Sequence, residues 1–418
     1  MLRYQEIFVP GGFPRHTYNP RLALGLEERI REVTENLCKL VTVTGQTKSG
    51  KTVLVRKVLP IENSVWIDGG GAASEEEFWQ LVVERLSLFQ EIEAESSSEA
   101  KSGLQGKGTA EANFLVAKGS GEIGASTERG TGEATRKTRS VSARVAALVG
   151  LRQAKLPLVI DDFHYLSKEL QGNLIRTLKP LIFDGVPVVV IAIPHRRYDA
   201  VKVEREMAGR ISGITVPAWS EPELSYIPTT GFNLLGHTAD PGDVSKLAAQ
   251  SIGSPHLMQD FCRGISKAVG LVETKPSKRL HVDDRLAEQV FKDVADTIGR
   301  PIFEKLARGP RQRSDRIPRK LKDGREVDIY ELVLHALASM QPGLVSLEYE
   351  DLRTAIKEVS SSQIPQLHEV ARVLKHMATI ASTDQSSTPV IDFEEDEKKL
   401  HITDPFFAFY LRWGDLVK

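Results

Sequence analysis

Cysteine is nearly missing: Cys38 and Cys262 are the only two in 418 residues, far apart and without a metal-ligand spacing. That rules out a disulfide framework and suits a reducing compartment. Charge of either sign is in no excess, because 55 Lys and Arg stand against 56 Asp and Glu, a formal net charge of -1. Contact with nucleic acid would therefore have to come from a local patch, not from the field of the whole protein. No apolar run reaches the length of a membrane span, and Met1 to Glu6 lacks the apolar core of a signal peptide. A soluble, cytoplasmic protein is expected, and no internal repeat is visible.

What the chain does have is an ordinary globular balance, 41% hydrophobic and 27% charged, in a length that suits two or three domains. Its most specific stretch is Gly45-Gln46-Thr47-Lys48-Ser49-Gly50-Lys51-Thr52, followed by Val53. It lies between the apolar run Leu40 to Val43, which reads as a strand, and Val53 to Leu59, which reads as a helix. The glycines let backbone N–H groups turn inward on phosphate, and the helix aims the positive end of its dipole at the same charge. Lys51 would reach the β- and γ-phosphates and the Thr52 hydroxyl would hold Mg²⁺, while Thr47, Lys48, Ser49 and Val53 line the cradle.

The pattern around this loop is α/β. A helix is expected over Leu22 to Leu40, a strand at Ser64 to Asp68, and a helix from Ser74 to Leu88 that starts with capping-box form. Residues 91–140 then shift to a Gly- and Ser-rich composition, with eight glycines between Gly103 and Gly132. This insertion permits a small hairpin around Gly119-Ser120-Gly121 and reads equally well as a disordered linker. A helix near Ser142 to Ala154 follows, then Leu158 to Asp162, a helix from Ser167 to Phe183, Val186 to Ile193 and Ile211 to Val216. Short β-branched runs of this kind mark strands buried on both faces of a parallel sheet.

Beyond the sheet, Ser220-Glu221-Pro222-Glu223 and Ser254-Pro255 open helices, and a further helical stretch spans Asp283 to Ala307. The run Arg308 to Arg325 carries eight Lys or Arg against Asp315 and Asp323. It reads either as a contact for nucleic-acid phosphate or as a solvated linker, and no aromatic residues are interleaved for base stacking. Helices near Asp328 to Met340, Leu347 to Glu358 and Gln363 to Ile380, then strands Val390 to Phe393 and Lys399 to Ile402, follow the order of a winged helix. The expected organisation is a phosphate-loop domain over 1–218, a helical lid and linker over 219–307, a basic loop over 308–327 and a winged helix over 328–418.

Leu158 to Asp162 has the form of a buried strand that ends in acid. Asp161 would hold Mg²⁺ through water and Asp162 would orient the attacking water, since phosphoryl transfer needs an in-line nucleophile. His195, after Val188 to Ile193, is a sensor candidate beside the γ-phosphate, or part of a solvated basic loop. Arg210 reads as an arginine finger offered to a neighbouring subunit, or as a surface partner of Glu204 or Glu206. In the expected recognition helix, His368, Arg372, Lys375 and His376 lie on or near one face.

With these residues in place, the chain resembles AAA-plus and STAND P-loop ATPases, particularly the origin-recognition-like and archaeal-type branches with a C-terminal winged helix. The resemblance rests on Gly45 to Thr52, on Leu158 to Asp162 with Phe163-His164-Tyr165, on Gly253-Ser254-Pro255, and on His401 to Trp413 with its Asp404-Pro405 start. It implies an α/β fold with a parallel-sheet core, a helical lid, and ATP or ADP with Mg²⁺ at their junction, where Pro255 and His256 would face the nucleotide. Two departures matter: Asp162 stands where most such ATPases place Glu, and His256 ends a lid motif that usually carries a sensor arginine. Both point to a switch that turns over slowly.

The expected function is thus an ATP-binding, slowly hydrolysing switch or assembly ATPase, homo-oligomeric and acting with a separate effector protein, in a setting such as prokaryotic antiviral defence. Its rival is a DNA-binding loader or transposition-helper ATPase that grips duplex DNA with the winged helix and residues 308–325. A nucleotide-stabilised scaffold without turnover is the third reading.

Overall fold

The computed structural model describes the chain outside residues 89–141, 194–208, 272, 275–277, 311–316, 345, 383–388, 396 and 417–418. The 91–140 insertion with its suggested hairpin, His195, Arg311, Arg313 and Arg316 therefore lie outside the described residues.

The five expected strands form one sheet: β1 (Leu40–Gly45), β2 (Val65–Asp68), β3 (Leu158–Asp161), β4 (Val188–Ala192) and β5 (Ile211–Val216), in the order β2-β3-β4-β1-β5. β2 pairs with β3, β3 with β4 and β4 with β1, all in parallel. Leu40 stands opposite Val188, Thr44 opposite Ala192, and Asp68 opposite Asp161. β1 and β4 are buried from end to end, which is why they read as unbroken β-branched runs and not as an alternating pattern. One strand separates β1 from β3, so the carboxyl ends of these two strands lie at the same sheet edge, roughly 10 Å apart at the usual strand spacing. In open α/β sheets that edge is where ligands bind.

The helix Glu75–Arg85 starts at Ser74, whose hydroxyl accepts from the Glu77 N–H, and Glu77 in turn accepts from the Ala73 N–H. Its Phe78, Trp79, Val82 and Val83 pack with Ala146, Ala147 and Leu151 of the helix Ala143–Ala154 into the core beneath the sheet. The single helix expected over Leu22 to Leu40 does not form. The chain instead makes a turn of 3-10 helix at Leu22–Leu24, a short α-helix at Leu26–Arg31 and another 3-10 turn at Glu32–Thr34. Gly25, Asn36 and Cys38 adopt φ of 57°, 60° and 52°, and each such left-handed residue ends a right-handed helix.

The chain divides into two compact units, one made of residues 25–44 and 54–215 and containing most of the sheet. The other collects residues 1–24, 45–53 and 216–418. Its core joins Ile7 and Phe8 near the amino end to Phe232, Phe261 and Phe291 and to Phe407 and Phe409 near the carboxyl end. Ser220 and Glu223 form the expected capping box at the start of the helix Glu221–Leu234. The stretch Asp283 to Ala307 is two helices, Asp284–Ile298 and Arg300–Arg308. The chain turns between them at Gly299, where a Cβ would stand 2.3 Å from Cβ of Tyr410.

The winged helix is present as Ile329–Ser339, Tyr349–Val359 and Leu367–Ser382 with the antiparallel strands Ile391–Glu394 and Lys399–Ile402. A third strand, Ser346–Glu348, pairs along Lys399–Ile402 and completes the wing sheet. Within the 308–327 stretch, Arg319–Lys320 and Glu326–Val327 form a two-stranded ribbon. A last helix, Pro405–Trp413, is capped by Asp404 and buries Phe407 to Leu411. Phe409 packs against both Phe261 and Phe291, at ring separations of 5.1 and 6.0 Å, so the helices after the sheet and the winged helix share one core.

Gly231 lies inside the helix Glu221–Leu234, where a Cβ would come within 2.2 Å of the Phe8 ring. Gly231→Ala adds up to about 1 kcal/mol of helix propensity but overpacks a fully buried ring at about 1–3 kcal/mol. The expected result is a lower unfolding midpoint in denaturant, largely recovered in the double variant Gly231→Ala with Phe8→Leu; a stabilised single variant would contradict this packing.

Candidate functional site

The phosphate loop begins where β1 meets the carbonyl of Val216. A Cβ at Gly45 would stand 2.6 Å from that oxygen and 3.1 Å from Oγ of Ser49, so no larger residue fits there. Lys48 and Gly50 take φ of 60° and 87°, and left-handed residues in such a turn point successive N–H groups into one concavity, an anion-binding nest. Lys51 opens the helix Lys51–Val58, and its Nζ donates to the carbonyls of Gly45 at 2.9 Å and Gln46 at 2.8 Å. The Thr47 and Ser49 hydroxyls are buried without a hydrogen-bond partner among the described residues. Buried polar groups are ordinarily paired, so two orphan hydroxyls in a cationic nest fit a loop shaped for phosphate. Thr52 is exposed and Val53 half-buried at the start of the helix.

Trp219 and Glu223 from just after the sheet, with Arg21 from the amino-terminal segment, hold this loop in place. Trp219 donates from Nε1 to the Ser49 carbonyl at 2.9 Å, and its own N–H reaches the Gly253 carbonyl. Arg21 lies over the Trp219 ring, with Cζ 4.9 Å from the ring centroid. Its guanidinium donates to both carboxylate oxygens of Glu223 and to the carbonyls of Pro217 and Ala218. Burial works to raise the Glu223 pKa, but the bonds from Arg21 and Ser220 outweigh it and hold the carboxyl below its ordinary value. None of these residues stood out in the sequence as a site residue, because a lone Arg, Trp and Glu carry no spacing signal.

The Gly253-Ser254-Pro255 motif starts the helix Pro255–Ala268, with Ser254 as cap and φ of 67° at Gly253. The Pro255 ring is 4.0 Å from where a Cβ of Gly50 would be, which brings this helix start onto the loop. His256 follows. Its Cε1 is 3.3 Å from the Cβ position of Gly11, its Nε2 is 3.5 Å from Oδ2 of Asp260, and its ring meets Phe406 edge-on at 4.8 Å. Lys48 places its ammonium 5.4 Å from the centre of the same Phe406 ring. Burial, and then Lys48, push the His256 pKa down to about 4, while burial pushes Asp260 up to about 7 against the pull of Arg263. The amino-terminal segment is stapled to this helix by Gln259, which accepts from the Val9 N–H and donates to Thr17, which donates to the Ile7 carbonyl.

Asp161 ends β3, and its Oδ1 accepts from the Asp162 N–H at 3.0 Å. Asp162 takes the left-handed conformation, φ 48° and ψ 38°, and the turn is backed by Gly69, where a Cβ would meet the Asp162 carbonyl at 2.6 Å. Among the described residues no group of three or more His, Cys, Asp or Glu forms a metal cage. A phosphate-loop Mg²⁺ needs none, since it takes one carboxylate, one hydroxyl, phosphate oxygens and water; Thr52 and Asp161 fit those roles by type.

Arg210 lies just before β5, and its carbonyl accepts from the Leu40 N–H at the amino end of β1. That is the far end of β1 from the loop, about 13 Å from Thr44 at 3.3 Å per residue. Its guanidinium rests over the Phe183 ring at 5.4 Å.

The described basic residues of the 308–325 stretch are mostly engaged. Arg319 is buried, donates to the Gln363 carbonyl and pairs with Glu369, so it is a structural residue and not part of a solvated loop. Lys320 pairs with Glu326 and Arg325 with Asp323. On the third helix of the winged helix, Leu367–Ser382, Lys375 pairs with Glu395 and His376 meets the Tyr330 hydroxyl, leaving His368 and Arg372 exposed.

No protein-family model matches the chain, and no curated protein matches its sequence. Among solved structures, a Walker-type ATPase of Pyrococcus abyssi aligns with TM-score 0.51 and 17% identity, over 92% of this chain and 94% of that one. Cdc6p of Pyrobaculum aerophilum aligns with TM-score 0.43 and 12% identity, over 97% and 96%. A STAND ATPase of Pyrococcus horikoshii aligns with TM-score 0.36 and 15% identity, over 92% of this chain and 41% of that one. The first of these likenesses establishes the fold as that of a Walker-type P-loop ATPase. Among the described residues no helix is long and apolar enough to cross a membrane.

Removing Arg21 as Arg21→Met strands the Glu223 carboxylate. A fully buried pair broken this way costs about 3–5 kcal/mol, and with Glu223 a quarter exposed the expected loss is about 2 kcal/mol near neutral pH. Glu223 has a lowered folded pKa, so the stability it lends is present above its unfolded value of 4.5 and is lost as pH falls through the folded value. The gap between wild type and variant in denaturant titrations should therefore close as pH drops below about 4.5; a gap that stays constant would remove Glu223 from the account.

Proposed function

We propose that the chain binds ATP with Mg²⁺ and hydrolyses it slowly, using the nucleotide to set the state in which it meets an effector partner. The observation that carries this reading is the phosphate loop itself: the left-handed Lys48 and Gly50, the orphan hydroxyls of Thr47 and Ser49, and Lys51 at the helix start. On this reading Lys51 leaves the carbonyls of Gly45 and Gln46 to hold the β- and γ-phosphates. Thr52 and Asp161 hold the metal, which neutralises charge on the transferring phosphoryl group. Asp162 orients the attacking water. Its carboxylate is one methylene shorter than Glu and hangs on a left-handed residue, which supports slow turnover.

The switch reading draws on the company the loop keeps. Trp219, Pro255 and Phe406, from three separate segments of one compact unit, all meet Lys48, Ser49 or Gly50. A change at the phosphates thus acts on the winged-helix end of the chain through direct contact. Homo-oligomerisation belongs to the same proposal, with Arg210 as the finger offered to another subunit's nucleotide. Grip on duplex DNA gains little from the described basic residues, since Lys320, Arg325 and Lys375 are paired with carboxylates. Surface pairs of that kind contribute only about 0–1 kcal/mol each, however, so they are no strong barrier to phosphate.

Lys51→Ala removes one charge-assisted donor worth about 1.5–3 kcal/mol, so ATP affinity measured by calorimetry should fall roughly tenfold to a hundredfold. Unchanged affinity would overturn the site. Asp161→Asn and Asp162→Asn should retain binding and lose phosphate release, and turnover that survives both would refute the roles given to these acids.

A further inference from the structure

His256 occupies a crowded position for a titratable group. The amino-terminal segment supplies Gly11, the phosphate loop supplies Lys48, its own helix supplies Asp260 and Arg263, and the last helix supplies Phe406 and, at its cap, Asp404, which acts on Lys48. The His256 and Asp260 side chains are only 22% and 19% exposed, and Asp260 Oδ2 has no hydrogen-bond partner at its present distance of 3.5 Å from His256 Nε2. The pair has to close by a few tenths of an ångström, about 0.5 Å, before a proton can pass between them.

In the structure as it stands the pair favours one arrangement of its protons. Burial disfavours both charged forms and Lys48 adds a like charge beside the imidazole, so between about pH 4 and pH 7 the pair holds a single proton, on Asp260. A nucleotide in the loop inverts the balance. Its phosphates offset the Lys48 charge and add several negative charges next to the Pro255 helix start, which favours an imidazolium at His256.

We propose that phosphate binding drives a proton from Asp260 to His256, so that the lid presents a second cation to the nucleotide only when one is there. The inference rests on the nucleotide reading above and adds its regulation by protons. The Asp260 O–H bond breaks and leaves its electron pair on the carboxylate, and an Nε2–H bond forms on His256. The net charge of the pair does not change, and the new Asp260 carboxylate pairs with the imidazolium. No proton is exchanged with solvent below about pH 6. Above about pH 7 Asp260 has already ionised, so binding must draw the proton from water. Affinity is then flat with pH under acid conditions and falls by up to roughly tenfold per pH unit above neutrality.

The test is calorimetry of Mg-saturated ATP at pH 6 and pH 8, each in two buffers of different ionisation enthalpy. The wild-type protein should take up close to one proton at pH 8 and none at pH 6. His256→Gln should bind ATP with no proton uptake at either pH, which also subtracts any titration of the nucleotide. Asp260→Asn deprives His256 of its internal donor and should shift uptake down to pH 6. Wild-type binding with no uptake at pH 8, or uptake that persists in His256→Gln, overturns the relay. Failure of the nucleotide reading shows differently, as no saturable binding by the wild-type protein at either pH.

Discussion

The missing side chain at Gly45 is the constraint that the site depends on. Because nothing projects there, the Val216 carbonyl closes on the loop, and the chain that leaves β5 runs past the loop instead of away from it. Pro217 and Ala218 then offer their carbonyls to Arg21, and Trp219 reaches the Ser49 carbonyl. A side chain at position 45 would push this whole run outward, and with it the two carbonyls and the aromatic face that locate Arg21. Backbone contact thus sets the loop first, and the charged groups are arranged around it afterwards.

The electrostatics of the site follow the same order. Lys51 is satisfied by loop carbonyls, Lys48 by the Phe406 face, and Arg21 by Glu223 and two carbonyls, so each cation near the loop has a partner within the protein. The His256 and Asp260 pair avoids charge altogether through burial. The loop is therefore surrounded by cations that already have partners and by a buried pair that stays uncharged between about pH 4 and pH 7.

Much of this was legible in the sequence. The central strands show as β-branched runs because both faces of β1 and β4 are covered, and the loop motif shows because its chemistry demands glycine and lysine at fixed offsets. Caps at Ser74, Ser220 and Ser254 mark helix starts through a local side-chain to backbone bond that needs nothing distant. What failed was decided by tertiary contact. The run from Leu22 to Leu40 has helical periodicity, yet three left-handed residues interrupt it. The break at Gly299 is fixed by Tyr410, more than a hundred residues on, and Ser346–Glu348 is a strand only because Lys399–Ile402 pairs with it. Arg319 reads as one more charge in a basic run, and only the fold shows it buried against Gln363 and Glu369. Arg21, Trp219 and Gln259 are single residues whose roles come from partners as distant as Thr17 is from Gln259.

The unit that holds the phosphate loop is assembled from the two outer stretches of the chain and one short inner piece, with Phe8 and Phe409 in a single core. During synthesis this has a cost in time. Lys51 emerges early, whereas Phe406 leaves the ribosome on the order of tens of seconds later at about 5–20 residues per second. For that interval the loop exists without the last helix beside it. The long sequence separation of these contacts also slows the docking step itself. A newly made chain therefore completes the surroundings of its phosphate loop only after Val216, and then the last helix, have left the ribosome.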